Sequence, residues 1–342
     1  MDKYLIYFLT IHFAAACNNH SSADKKEEKD SIPAFTFSFE KNDPAFDSIV
    51  SVDAKAEIIA DGFEWSEGSL WVEQQNMLLF SDVPKNMVYK WTQAKGVEVY
   101  LQQSGYTGAE PTQSKEPGSN GLTLDNNGKL VLCQHGDRRV SRMNAALNKP
   151  EPKFETIADK YQGKRFSSPN DCVFNSEGEL FFTDPPYGLP KQADDPGKET
   201  AWNGIYKVTK DGKVILLVDS ISRPNGIALF PGQKRLLVAS SDPEKPNWYV
   251  WDVDGDQLKN GKIFYSAAGY DKSWSGLPDG LRIDSKGNVY ATGPGGIYFF
   301  NSEGKKLGML KLKNATSNCA LSPDEKTLYV TNDMYVLRIT LK

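Results

Sequence analysis

From about residue 60 onward the chain alternates short apolar runs with polar turns, and one two-strand unit recurs six times. Each unit opens on a small residue or proline, then a polar residue, often glycine, and then an apolar strand. The openings are Ser66-Glu67-Gly68-Ser69-Leu70-Trp71, Ser119-Asn120-Gly121-Leu122-Thr123-Leu124 and Pro169-Asn170-Asp171-Cys172-Val173-Phe174. Next come Pro224-Asn225-Gly226-Ile227-Ala228-Leu229, Pro278-Asp279-Gly280-Leu281-Arg282-Ile283 and Ser317-Asn318-Cys319-Ala320-Leu321. Turns such as Asn126-Asn127-Gly128-Lys129, Ser176-Glu177-Gly178-Glu179 and Ser285-Lys286-Gly287-Asn288 launch several of the return strands, because Gly and Asn tolerate positive φ. Return strands are predicted over 78–81, 130–133, 180–183, 236–239, 289–292 and 328–331, with further strands over 87–91, 204–208, 249–253 and 297–300.

The units recur at about 40 to 55 residues, close to the period of propeller blades, and no long helical pattern interrupts them. The pattern predicts an all-β fold, a six-bladed β-propeller with four-stranded blades. A pair of β-sandwiches, the runner-up, leaves the sixfold recurrence of one polar position unexplained.

Rotation about a propeller axis places Glu67, Asn120, Asn170, Asn225, Asp279 and Asn318 in a ring at one end of the channel. Antiparallel return strands bring Asp82, His135, Asp184, Ser240 or Ser241, and Gly293 toward the same mouth. The inner ring offers two carboxylates and several amide oxygens and no soft ligand, which suits Ca²⁺ or Mg²⁺. Two carboxylates aimed at one axis repel unless a cation lies between them. Ligands from separate blades form an irregular cage, which favours Ca²⁺ over Mg²⁺, with Mg²⁺, Mn²⁺ or Zn²⁺ as substitutes. The blander alternative is a hydrated channel whose polar groups only satisfy strand ends.

Composition narrows the chemistry. With three histidines, two of them near the N-terminus (His12 and His20), a zinc site built on several histidines is excluded by count. Cys133, Cys172 and Cys319 sit in or beside apolar runs and read as buried free thiols. Net charge is −4 with no basic stripe, so nucleic acid is a poor partner. There is no GxSxG elbow for a nucleophilic serine.

The N-terminus reads as an export signal. Met1-Asp2-Lys3 precedes an apolar run over 4–13, then Ala14-Ala15-Ala16-Cys17, which resembles a bacterial lipoprotein signal. That resemblance implies cleavage before Cys17 and lipidation of its thiol; ordinary signal cleavage with loss of Cys17 is the alternative. The expected organisation is a signal peptide over 1–16, a flexible tether over 17–45 and a catalytic propeller over 46–342. The protein would be exported, periplasmic or held at a membrane through the anchor alone.

The ordered motifs resemble the gluconolactonase/regucalcin (senescence marker protein) family of six-bladed propellers. They are Glu64-Trp65-Ser66-Glu67-Gly68, Ser119-Asn120-Gly121-Leu122-Thr123, Ser168-Pro169-Asn170-Asp171, Phe182-Thr183-Asp184-Pro185-Pro186-Tyr187-Gly188, Pro224-Asn225-Gly226 and Leu277-Pro278-Asp279-Gly280. Gln134-His135-Gly136-Asp137-Arg138-Arg139 and the Thr183–Gly188 run look most like the bacterial branch. The resemblance implies a metal-dependent lactonase in which Glu67, Asn225 and Asp279 bind the metal and Asn170 completes the shell or touches substrate. It also implies that Asp279 activates water. In the animal branch an arginine precedes the equivalent of Asn170 by two residues; here that residue is Ser168, so sugar-lactone specificity does not carry over directly.

Candidates for substrate contact are Asn120, His135, Asp184 and Tyr187. His135 reads either as a proton relay or as a rim residue bonded to Asp137, and Tyr187 as a mouth wall or plain packing. Trp65 and Trp71 read as blade core and Trp274 as a lid. The expected substrate is a small lactone or related ester. The alternatives are aryl-ester or phosphotriester hydrolysis on the same metal, or a surface sugar-binding propeller without catalysis.

Overall fold

The computed structural model describes residues 35–342, and Cys17 and the signal segment lie outside them. Six antiparallel sheets form the blades, the first four running outward from the axis in chain order. The first spans Ser66–Val72, Met77–Asp82, Met87–Thr92 and Gly96–Gln102. The second spans Ser119–Leu124 to Phe154–Ala158, the third Cys172–Phe174 to Val214–Val218, and the fourth Pro224–Leu229 to Gln257–Ser266. The fifth spans Leu281–Ile283 to Lys306–Leu312. The sixth holds Asn318–Leu321, Thr327–Asn332 and Tyr335–Thr340.

The sixth blade takes its outer strand from the other end of the chain. Ala56–Asp61 pairs antiparallel with Tyr335–Thr340, Ala56 facing Ile339 and Asp61 facing Tyr335, so the two ends close one ring. The expected tether over 17–45 needs correction at its end. Phe37–Lys41 is a fifth strand on the fifth blade, Phe37 opposite Leu312 and Lys41 opposite Gly308, and a 3-10 turn follows at Pro44–Ser48. Phe46 explains the docking: it is buried edge-to-face on Phe299, 5.2 Å between centroids. Among the described residues no helix is long and apolar enough to cross a membrane.

Apolar residues from facing sheets fill the spaces between blades. Leu79, Val88, Leu122 and Leu132 join the first blade to the second, and Trp248, Tyr298 and Phe300 join the fourth to the fifth. Trp71 stacks on Tyr329 between the first and sixth blades, 5.1 Å apart and 7° from parallel, as core. Cys133, Cys172 and Cys319 are buried free thiols.

The axis is tighter than these interfaces, and this explains the glycines of the repeat. A Cβ on Gly226 would stand 2.3 Å from the carbonyl oxygen of Asp279 in the next blade. A Cβ on Gly68 would stand 1.9 Å from that of Asn120, and Gly68 also has φ +56. Neighbouring inner strands meet there backbone to backbone, which only glycine permits.

Candidate active site

Small hydroxyl residues on the return strands fix the ring. Ser81 Oγ donates to the carbonyl of Asn120 at 2.9 Å, and Thr183 Oγ1 to that of Asn225 at 2.8 Å. Thr292 Oγ1 donates to the carbonyl of Ser317 at 3.2 Å. One blade's return strand thereby positions the next blade's ring residue.

The ring opens into a cavity of about 300 Å³ whose wall includes Glu67, Asn120, Asn170, Asn225, Asp279 and Tyr187. Asn318, the sixth ring residue, is turned inward: its Oδ1 accepts from the Cys319 amide at 2.8 Å, and its Nδ2 lies 3.4 Å from Glu67 Oε2. Asn225 is aimed by a relay in which its Nδ2 donates to Ser241 Oγ at 2.8 Å and Ser241 donates to the carbonyl of Pro278 at 2.6 Å.

The ring oxygens are short of partners. Asn120 Oδ1, Asn170 Oδ1 and Asp279 Oδ1 are buried and accept no hydrogen bond. Each such atom costs about 1–3 kcal/mol when buried unpaired. Burial pushes the Glu67 carboxyl up to about 8, with Asp171 and Glu116 adding repulsion. Asp279 is raised by burial first and then by Glu67. Two carboxylates and several amide oxygens, all hard donors without a cationic partner, fit a hard divalent cation that neutralises both charges. Among the described residues no three His, Cys, Asp or Glu cluster as a metal site, so a cation at this ring would need the amide oxygens beside the two carboxylates.

Two candidates stand elsewhere than expected. Asp184 is fully buried and lies outside the cavity wall; its carboxylate accepts from the backbone N–H of Ser167 at 2.9 Å and of Ser168 at 2.7 Å. It is therefore a brace for the turn that leads to Asn170, not a substrate contact. Asp82 does the same in the first blade, accepting from Glu64 and Trp65. Ser168 Oγ then donates to the carbonyl of Pro185 at 2.6 Å and accepts from Gly188 N at 2.9 Å. That clamp holds the Pro-Pro-Tyr-Gly loop, and Tyr187 becomes part of the wall.

His135 also stays out of the wall. It is fully buried, both ring nitrogens lack hydrogen bonds, and Nδ1 lies 3.7 Å from Glu116 Oε2. A Cβ on Gly188 would touch its Cβ at 2.6 Å, so the loop seals it in. Burial lowers its pKa to about 4, leaving the imidazole neutral near pH 7. Asp137 is not its partner either, since that carboxylate accepts from Thr107 and Arg139.

Trp65 is a correction in the other direction: it lines the cavity, whereas Trp274 packs beside Gly295 under Lys311, away from it. Trp65, Arg223, Leu277 and Thr316 all line the wall, and each lies two residues before a ring position. Residues i and i−2 of an extended chain share a face, so this signal was present in the sequence. Glu116, four before Asn120, had no such mark.

The family model described as "SMP-30/Gluconolactonase/LRE-like region" matches residues 65–333. The chain belongs to that family. It is 37% identical over 308 residues to a gluconolactonase of Zymomonas mobilis, covering 88% of this chain and 85% of the relative. A solved gluconolactonase of Xanthomonas campestris superposes with a TM-score of 0.76 at 26% identity, covering 89% of this chain and 95% of that one. Diisopropyl-fluorophosphatase of Loligo vulgaris is 28% identical over 202 residues, 56% of this chain and 62% of the relative.

Proposed function

We propose that this family member opens lactones at the axial ring, with Ca²⁺ held by Glu67, Asn170, Asn225 and Asp279. The observation that carries the reading is the set of unpaired buried oxygens, Asn170 Oδ1 and Asp279 Oδ1 beside the Glu67 carboxyl, at the floor of a cavity open to a small ester. The 37% identity to a gluconolactonase supports the substrate class.

When bound, the cation supplies a Lewis-acid contact that stabilises negative charge on the ester carbonyl oxygen during attack. The protein's own groups do the rest. Asp279 would take the proton of the attacking water and pass it to the departing ring oxygen as the acyl C–O bond breaks. The Ser241 relay keeps Asn225 from rotating, and Asn120, with its free Oδ1, accepts from water or substrate at the ring's edge. Trp65, Leu277 and Tyr187 form the less polar wall against which a lactone ring lies. The likeness of the N-terminal residues to a lipoprotein signal supports export and anchoring through Cys17.

Turnover of a lactone, an aryl ester and a phosphotriester by the wild-type chain and Asp279→Asn tests this. Lactone opening should dominate in the wild type and fall at least about a hundredfold in the variant, whose melting temperature is retained. Preference for the phosphotriester would support instead the chemistry of the partly matching fluorophosphatase.

A further inference from the structure

Beneath the ring, one arginine reaches across the axis. Arg282 lies on the inner strand Leu281–Ile283 of the fifth blade, three residues past Asp279 and so deeper in the channel. Its Nη1 donates to the carbonyl of Leu281 at 2.8 Å, and its Nη2 to the carbonyl of Ser69 in the first blade at 3.1 Å. Nη1 also stands 3.9 Å from Asp171 Oδ2, at the head of the third blade. The first, third and fifth blades are not neighbours in a ring of six, so their atoms meet only at the axis. Both charged residues are exceptions to the repeat. The residue after the ring position is glycine in four blades and Cys319 in the sixth; only the third blade puts a charge there, Asp171. The third residue past the ring position is uncharged in every blade but the fifth.

Asp171 is buried: its Oδ1 accepts from the Cys172 amide at 2.8 Å, and its Oδ2 has no hydrogen bond. Among the described residues Arg282 is the one base with which it forms an ion pair. Asp171 adds to the repulsion on Glu67 and on Asp279, so three carboxylates act on one stretch of the axis. The cavity wall also carries one further acid and one base, Glu116 and Arg223, which add no net charge. Three carboxylates against one guanidinium leave two negative charges to be neutralised. A buried charge left over after binding costs affinity, so such a site binds best the ion whose charge cancels its own. We propose that Arg282 is the built-in counter-ion of Asp171, and that this pair sets the preference of the axial site for divalent over trivalent cations. The inference rests on the axial-cation reading and adds which ionic charge the site matches. Arg282 touches no substrate; it is a positioning residue that acts through its charge.

Ca²⁺ and La³⁺, two oxygen-seeking ions of similar radius, separate the effect of charge from that of size. Titration calorimetry on metal-stripped protein gives a Kd for each, and the Kd of Ca²⁺ divided by that of La³⁺ measures the preference for the higher charge. A trivalent ion feels every fixed charge once more than a divalent one, so this ratio follows the sign of each substitution. Arg282→Met should raise it at least about tenfold, and Asp171→Asn, which keeps the bond to the Cys172 amide, should lower it about as much. The double variant should return close to the wild type, and Arg282→Lys, which keeps the charge, should stay within about threefold of it. Where Arg282→Met fails to fold, Arg282→Gln takes its place. A merely structural role would weaken both ions alike, so an unchanged ratio in folded variants overturns the inference, as does a shift of the same sign in Arg282→Met and Asp171→Asn. If the wild type binds neither ion, the axial-cation reading itself fails, and the counter-ion role falls with it.

Discussion

At the residue scale, the two buried acids and the buried histidine divide the work differently from what their chemistry alone suggests. His135 has the one side chain whose ordinary pKa lies near neutrality, yet burial, outweighing the opposing pull of the Glu116 backbone, keeps it uncharged above about pH 4. His135→Gln should therefore leave the shape of the pH–rate profile unchanged, with no lost limb between pH 5 and 8. A limb that disappears in this variant would restore the relay role. That Glu67, Asn170, Asn225 and Asp279 would face one cavity was legible because the repeat register places them together. Asp184 misled because a carboxylate at a strand end looks the same whether it faces a cavity or two backbone amides. Its partners, Ser167 N and Ser168 N, lie seventeen and sixteen residues upstream and become neighbours only through the hairpin.

At the level of the blade, the inner strand is shaped by its neighbour. Glycine follows four of the six ring residues, and at Gly226 the reason is the Asp279 carbonyl, 2.3 Å from where a Cβ would stand. Gly226→Ala must push apart the fourth and fifth blades at the axis. A loss of about 1–3 kcal/mol of stability is expected, read as a lower melting temperature, together with reduced lactone turnover because Asp279 moves. Undiminished stability would mean that the inner strands are looser than this packing implies. The Asn-Gly and Asp-Gly pairs read as turn signals in isolation; their recurrence at three of the six ring positions reveals them as close-approach sites. The Ser and Thr hydroxyls behind them carried no mark, since Ser81 and Thr183 look like ordinary strand residues until their cross-blade acceptors are known.

The described residues form a ring of six blades around a concentration of buried carboxyls. Blade number and strand order were legible from periodicity, because each hairpin repeats one apolar pattern. The closing strand Ala56–Asp61 and the added strand Phe37–Lys41 were not, because they belong to no repeat and find their partners about 280 residues away. The charge has a consequence for stability. In the metal-free folded chain Glu67 titrates near 8, and Glu116 and Asp184 near 7, all above their ordinary carboxyl values because of burial. Between the ordinary and the raised values the folded chain holds protons that the unfolded chain has released. Raising the pH then favours unfolding, so this stability is present near pH 4 and lost progressively toward pH 8. The metal-free melting temperature should fall from pH 5 to pH 8, and calcium should restore more of it at pH 8, where its binding no longer competes with protons. A flat or rising profile would contradict the buried-carboxyl account. The most direct test of the ring is a calcium titration of metal-stripped protein, following acid release from gluconolactone at constant pH. The account predicts negligible turnover without metal and a saturable rise that levels off at one bound ion per chain. Full turnover in the stripped protein, with calcium neither bound nor needed, would contradict it.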